Sequence, residues 1–144
     1  MKKIFTILGI AAVASVANAQ TNLVPNPGFE SWDTTTTPPK PTGWSFISPT
    51  GITQETVMVH SGTSSVKAVA PATGNGSLNV DIPATASTQY TLGYWILDND
   101  PNARARHWVQ ARTASANITW TGTTFQPTTY STDNPSWVYV SATS

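Results

Sequence analysis

Short runs of alternating polar and apolar residues, separated by turn residues, are the feature that most constrains the fold of this chain. The strongest run, 89–97, places two sets of residues on opposite faces: Tyr90, Leu92, Tyr94 and Ile96 on one, and Thr91, Gly93, Trp95 and Leu97 on the other. Alternation with a period of two is typical of a strand with one buried and one exposed face. After residue 19, no window has the i, i+3, i+4, i+7 spacing of an amphipathic helix without an interrupting Gly, Pro or Thr. The sequence therefore predicts an all-β fold, as in sandwiches and barrels.

The same alternation, bounded by turn clusters, predicts further strands on both sides of 89–97. They cover 44–47, 54–59, 64–70, 78–82, 103–113, 118–120 and 138–142. The earlier segment 23–29 holds two prolines, which confine it to an edge or an irregular position. The last strand runs to Ser144 without a turn or cap, whereas a sandwich returns its last strand beside its first. We therefore expect one or more closing strands to be missing, which would leave an open edge.

The first residues have the layout of a secretory signal peptide, which we assign to 1–19. Lys2 and Lys3 precede the apolar run 4–16, and Ala17-Asn18-Ala19 gives an A-x-A-like cleavage site. The run of about 13 residues is too short to cross a bilayer core of about 30 Å as a helix. The alternative, a retained N-terminal anchor, is disfavoured because no cysteine can carry a lipid. We expect 20–144 to be one secreted domain, extracellular or at the cell surface.

The composition of 20–144 narrows the classes of partner. Five basic residues stand against seven acidic ones, for a net charge of −2, so no basic stripe is present to neutralise nucleic-acid phosphates. No later stretch is apolar enough to cross a membrane. With no cysteine, stability has to come from packing, sheet hydrogen bonds or a bound metal. Abundant Thr, Ser, Trp and Tyr suit hydroxyl-rich ligands, although Thr and Ser are also common in strands and turns.

The segment 103–113 carries the candidate ligand surface. Strand alternation would divide it into one side of mainly small residues and one polar side that includes a tryptophan. An indole can stack on a sugar ring while guanidinium and amide groups bind its hydroxyls. Trp95 on the preceding strand either extends this surface or lies in the core. The alternative is a solvated sheet face with one partly covered tryptophan. The polar side comprises Arg104, Arg106, Trp108, Gln110 and Arg112.

Two other groups of polar residues are candidate sites of chemistry. The turn Asp98-Asn99-Asp100-Pro101-Asn102 is rich in oxygen ligands for Ca²⁺, but it lacks the glycine and glutamate of an EF-hand loop. A plain Asx turn is the favoured interpretation. Glu30 with Asp98 or Asp100 would be a glycosidase pair only at the right carboxyl separation. No Cys nucleophile, G-x-S-x-G, H-E-x-x-H or phosphate loop occurs, so we expect no enzymatic activity.

Four short motifs follow one another along the chain. They are Asn22-Leu23-Val24-Pro25-Asn26-Pro27-Gly28-Phe29-Glu30, Pro41-Thr42-Gly43-Trp44, His60-Ser61-Gly62-Thr63-Ser64-Ser65 and Tyr90-Thr91-Leu92-Gly93-Tyr94-Trp95. In this order they resemble the N-terminal two-thirds to three-quarters of carbohydrate-binding modules of the family-four/nine type, which have the galactose-binding-like jelly-roll fold. The stretches 95–106 and 130–134, with Trp137, resemble the variant attached to secreted bacterial proteins, some of which carry an unrelated enzyme domain.

The resemblance implies a fold and a metal. The fold is a jelly-roll β-sandwich of two antiparallel sheets over 20–144, incomplete at its C-terminus. The metal is a structural Ca²⁺ beside the N-terminal strand, held by Glu30 and by the backbone around Ser61 and Gly62. Its remaining acidic ligand would lie on a last strand beyond Ser144.

The resemblance also implies a function, the non-catalytic binding of polysaccharide in a groove on the concave sheet. The candidate residues there come from alternation, not from a matched motif, and further domains of the same polypeptide are expected. The rival is a structural or protein-interaction β-sandwich module of a larger secreted or surface protein, with no sugar site. The candidate ligand-binding residues are Trp108, Arg106, Gln110, Arg104 and Trp95.

Overall fold

The structure, a computed structural model, describes residues 21–48, 51–69, 75–118 and 124–144. Within these ranges the chain forms strands and no helix, so the all-β prediction is confirmed and no helix there could span a membrane. The predicted signal peptide and most of the predicted strand 118–120 lie outside the described residues. The strands are β1 (Trp32–Asp33), β2 (Lys40–Pro41), β3 (Ser45–Ser48), β4 (Ile52–Glu55), β5 (Ser65–Ala68), β6 (Ser77–Asn79), β7 (Thr91–Ile96) and β8 (Val138–Thr143).

The described strands pair in four antiparallel two-stranded sheets. β4 pairs with β5, the next strand in the chain. β3 pairs with β6, so β3 precedes the β4–β5 pair in the sequence and β6 follows it. β1 pairs with β2, and β7 pairs with the distant β8. Antiparallel pairing agrees with the predicted fold class. The arrangement of these strands in the two facing sheets of a jelly roll stays a prediction.

The β7–β8 pair has the longest ladder and shows why the alternation of 89–97 predicted a strand. Its register runs from Thr91 opposite Thr143 to Ile96 opposite Val138. One face is exposed, and the other holds half-buried residues of β7 together with buried Ala142 of β8. We call the exposed side the outer face of β7–β8. It consists of Thr91, Gly93, Trp95, Tyr139, Ser141 and Thr143.

Apolar burial in the described residues is concentrated in a few side chains. Ile52 at the start of β4 and Phe125 in the 124–131 segment are 5% and 4% exposed, and Pro41 of β2 is fully buried. Phe125 matters for the candidate ligand surface, because its carbonyl accepts a hydrogen bond from the Val109 N–H at 2.9 Å. The backbone of this buried residue is therefore bonded directly to the segment that carries Trp108.

The prediction of a strand over 103–113 is wrong, because this segment does not form the continuous ladder of backbone hydrogen bonds that a strand requires. Its neighbours contact it through separate bonds, from Ser131 N to the Ala105 carbonyl and from Ile118 N to the Ala111 carbonyl, both at 2.8 Å. A single bridge joins Arg112 to Asn117. The facing segment contains Pro127, which has no N–H to donate, so a continuous ladder cannot form there.

The sidedness predicted for 103–113 is nevertheless present in an extended segment. His107, Val109 and Ala111 are partly buried. Ala105 departs from the pattern because it is exposed. The pattern arises because an extended backbone turns successive side chains to opposite sides whether or not its ladder is complete. The exposed polar residues are Arg104, Arg106, Trp108, Gln110 and Arg112.

Candidate functional site

An arginine lies between two exposed aromatic rings on this segment. The guanidinium carbon of Arg106 is 5.0 Å from the ring centroid of Trp108 and 4.5 Å from that of Tyr130. Arg106 Nη1 also donates to the Pro127 carbonyl at 2.8 Å, which fixes the guanidinium in place. Trp108 and Tyr130 remain 57% and 49% exposed. We call these three side chains the aromatic–arginine surface.

His107 anchors this surface from the inner side. Its Nε2 lies 2.8 Å from the Thr124 carbonyl, and its Nδ1 lies 3.1 Å from the Tyr94 hydroxyl. Because a carbonyl only accepts, Nε2 carries the proton in the neutral ring, and Nδ1 accepts from Tyr94. Burial raises the pKa of Tyr94, so its hydroxyl remains protonated. With residue 107 held inward, Arg106 and Trp108 point outward.

Two other predicted binding residues form internal hydrogen bonds instead of joining the aromatic–arginine surface. The Gln110 amide donates to the carbonyls of Ala111 at 2.9 Å and Ile118 at 2.8 Å. Arg104 forms an ion pair with Asp133 at 2.9 Å and donates to the Asp100 carbonyl at 3.1 Å. Both side chains hold neighbouring loops together. Sequence reasoning missed Tyr130, and alternation could not find it because it lies far along the chain from Arg106.

Trp95 belongs to a second group of rings. His60 stacks on it with centroids 4.2 Å apart, and Tyr139 lies 5.2 Å from it. Trp137 meets His60 edge-on at 5.6 Å. We call these four side chains the aromatic cluster. Trp95 is 47% exposed, so it is not a core residue. Its strand neighbour Tyr94 contacts His107, so Trp95 points away from the 103–113 segment.

The residues implied as a calcium site do meet in space. The Glu30 carboxylate accepts the Thr63 N–H at 3.0 and 3.1 Å, the Thr63 hydroxyl, and the Ser64 N–H at 3.4 Å. The Thr63 hydroxyl contributes most to a pKa of Glu30 below its ordinary value of 4.5. A side chain at Gly62, whose φ is +75°, would collide with the Glu30 carboxylate. Ser61 lies exposed in the same loop. Thr63 was not among the predicted residues.

Calcium at Glu30 stays a prediction. Ca²⁺ takes six to eight oxygen ligands, and Glu30 supplies one carboxylate. That carboxylate already accepts hydrogen bonds from Thr63, so an ion there would have to share these oxygens. In the part of the chain that the structure describes, no three Asp, Glu, His or Cys side chains form a group that could hold a metal.

A cleft of about 430 Å³ lies between β5 and the Asp98–Asn102 turn. Lys67, Glu55 and Trp137 contribute to its walls. Asp98 also lines the cleft, and its side chain is 6% exposed. Its Oδ1 lies 3.7 Å from Arg104 Nη1, whereas its buried Oδ2 accepts no hydrogen bond from the described residues. A buried acceptor without a donor is costly and calls for an explanation.

Comparison with known proteins gives no relative from which a function could be transferred. No protein-family model matches the chain, and no curated protein or solved structure is significantly similar to it. Its function is therefore inferred from the surfaces described above.

Proposed function

We propose that the chain is a non-catalytic module that binds polysaccharide through the aromatic–arginine surface. The observation that carries the proposal is the placement of Arg106 between Trp108 and Tyr130, both about half exposed. Exposed rings held in a fixed orientation are suited to stacking on the apolar face of a sugar. The signal-peptide layout of 1–19 supports export, where polysaccharide is encountered.

Arg106 would contribute in two ways. It restrains both rings before a ligand arrives, so less side-chain entropy is lost on binding. A guanidinium has five N–H donors, and Arg106 uses one of them to bind the Pro127 carbonyl. Other donors of this group would bind hydroxyl or carboxylate oxygens of a glycan. Replacing Arg106 by Lys would keep the charge but lose the planar contact with the rings.

Affinity electrophoresis in gels containing soluble neutral and uronic-acid polysaccharides tests the proposal. We expect retardation by at least one polysaccharide, lost in Trp108→Ala and weakened in Tyr130→Ala. Trp95→Ala is the matched control, because it removes a similarly exposed indole, 47% against 57% for Trp108, on the other side of β7. Reducing-sugar release by the same samples should be absent. Lack of retardation on every polysaccharide, with the fold verified by circular dichroism, would contradict the proposal.

The second candidate is a structural or protein-interaction module without a sugar site. The outer face of β7–β8 favours it, since Trp95 and Tyr139 lie exposed there at 47% and 54%. The expected partner is another domain of the same polypeptide. The same experiment separates the two functions, because this candidate predicts unretarded migration of the wild-type chain and of Trp108→Ala alike.

A further inference from the structure

The buried Oδ2 of Asp98 is the polar atom whose environment is least explained. Asp98 lies two residues after the end of β7, and its carbonyl accepts the Asn134 N–H at 2.7 Å, which holds the residue beside the segment that leads into β8. Its side chain lines the cleft beside β5. A buried carboxylate oxygen that accepts no hydrogen bond from the described residues calls for an explanation, and coordination of a cation is one.

The turn that follows Asp98 brings further oxygen ligands to the same wall. Asp100 Oδ1 accepts from the Asn102 backbone N–H at 2.8 Å, which makes this an Asx turn. Asn99 and Asn102 also line the cleft. The Asn99 amide nitrogen donates to the Met58 sulfur at 3.7 Å, and its amide oxygen is a further candidate ligand. Carboxylate, amide and water oxygens are the ligands that Ca²⁺ prefers.

The acidic groups around Asp98 outnumber the basic ones, which favours the binding of a cation. Arg104 approaches the Oδ1 side and is shared with Asp133, which it meets at 2.9 Å. Among the described residues that line the cleft, Lys67 is the one cation, and the acidic residues are Glu55, Asp98 and Asp100. Counting Arg104 and Asp133 as well, the acidic groups still exceed the basic ones by two.

We propose that the Asp98–Asn102 turn binds Ca²⁺ at this cleft, through Asp98 Oδ2, Asp100 and the amide oxygens of Asn99 and Asn102, with water completing the shell. This site is distinct from the one implied at Glu30. With two carboxylates in the turn, the affinity belongs in the weak range of extracellular calcium modules, a Kd of about 10⁻⁴ to 10⁻³ M.

Thermal unfolding of the full chain with Ca²⁺ tests the proposal. At about 10 mM Ca²⁺, linkage predicts a rise in Tm of about 5 °C for the wild type. The rise should disappear in Asp98→Asn and in Asp100→Asn, which keep the side-chain shape. Asp81→Asn, at a side chain that is 82% exposed and does not line the cleft, is the matched control and should keep the rise, whereas Glu30→Gln reports separately on the site implied at Glu30. As a second readout, Tb³⁺ should bind in place of Ca²⁺, emit on tryptophan excitation, lose that emission in Trp137→Phe, and be displaced by Ca²⁺.

Each other outcome overturns the proposal. A rise lost in Glu30→Gln but kept in both aspartate variants would assign the ion to Glu30. An equal rise in Tm with sodium chloride at matched ionic strength would show that Ca²⁺ acts by charge screening alone. An unchanged Tm in Ca²⁺ would show that Asp98 binds water and not the ion. If Asp98→Asn does not fold, Asp100→Asn decides, because its amide oxygen can still accept from the Asn102 N–H and preserve the Asx turn.

Discussion

The two groups of aromatic rings in this molecule differ in what fills the space between them. In the aromatic–arginine surface, the guanidinium of Arg106 lies between Trp108 and Tyr130. In the aromatic cluster, the rings contact one another, with His60 stacked on Trp95 at 4.2 Å. Trp108 and Trp95 are similarly exposed, at 57% and 47%. Exposure alone therefore does not distinguish a ligand surface from a packing surface.

The backbone beneath the two groups differs as well. Trp95 and Tyr139 are opposite each other in the continuous ladder of β7 and β8. Arg106 and Trp108 lie on a segment held by separate hydrogen bonds and by the side chain of His107. The first arrangement depends on strand register and the second on a few individual contacts. We therefore expect the aromatic–arginine surface to be the more sensitive of the two to single substitutions beneath it.

Phe125→Ala should have the largest effect on that difference. Phe125 is 4% exposed, and its loss should cost about 3 kcal/mol of unfolding free energy from lost burial and a cavity. Polysaccharide retardation should weaken further than this instability explains, because the Val109 contact at the Phe125 carbonyl shifts. Urea unfolding and affinity electrophoresis measure the two effects. Val57→Ala, at a residue 87% exposed, is the control and should change neither.

Gly93→Ala should have a smaller effect, confined to the aromatic cluster. A Cβ at residue 93 would collide with the Tyr139 hydroxyl, so the Tyr139 ring has to move away from its position across β7. Displacing that ring should cost about 1 kcal/mol in urea unfolding, the size of a cross-strand pair. In a Tyr139→Ala background the same change should be neutral or stabilising, since alanine is favoured over glycine inside a strand. An equal cost in both backgrounds would contradict this account of the outer face of β7–β8.

The alternation in the sequence predicted which side of the backbone a side chain lies on better than it predicted which segments pair by hydrogen bonds. It identified the outward residues of 103–113 and the strand that became β7, because the period of two is a local property of extended backbone. It failed for the ladder of 103–113, which depends on Pro127 in a segment about twenty residues away in sequence. It also placed the strand 54–59 too late, since β4 ends where Glu55 accepts the N–H groups of Val57 and Met58.

Alternation could not predict the side-chain contacts between residues that are far apart in the sequence. Tyr130 beside Arg106 is such a contact, and the pairing of Arg104 with Asp133 is another. The juxtaposition of Glu30 with the loop at Gly62 was expected, but from the resemblance and not from any local pattern. Local patterns therefore predict which way a side chain points, whereas its partner depends on the tertiary fold.

The smallest predicted effect links Glu30 to the aromatic cluster through the loop that carries His60. Hydrogen bonds from Thr63 lower the pKa of Glu30, so its contribution to stability is present above the ordinary value of 4.5 and is lost as the pH falls through the lowered pKa of the folded state. Glu30→Gln should remove that pH dependence from the Tm. It should also change the near-ultraviolet circular dichroism of the His60–Trp95 stack, while polysaccharide retardation at neutral pH is retained.

Asp81→Asn, at a side chain 82% exposed, is the matched carboxylate control. If the Tm of wild type and of Glu30→Gln changed with pH in the same way, the Thr63 contact would not hold the loop. The aromatic cluster would then depend on Glu30 no more than the aromatic–arginine surface does.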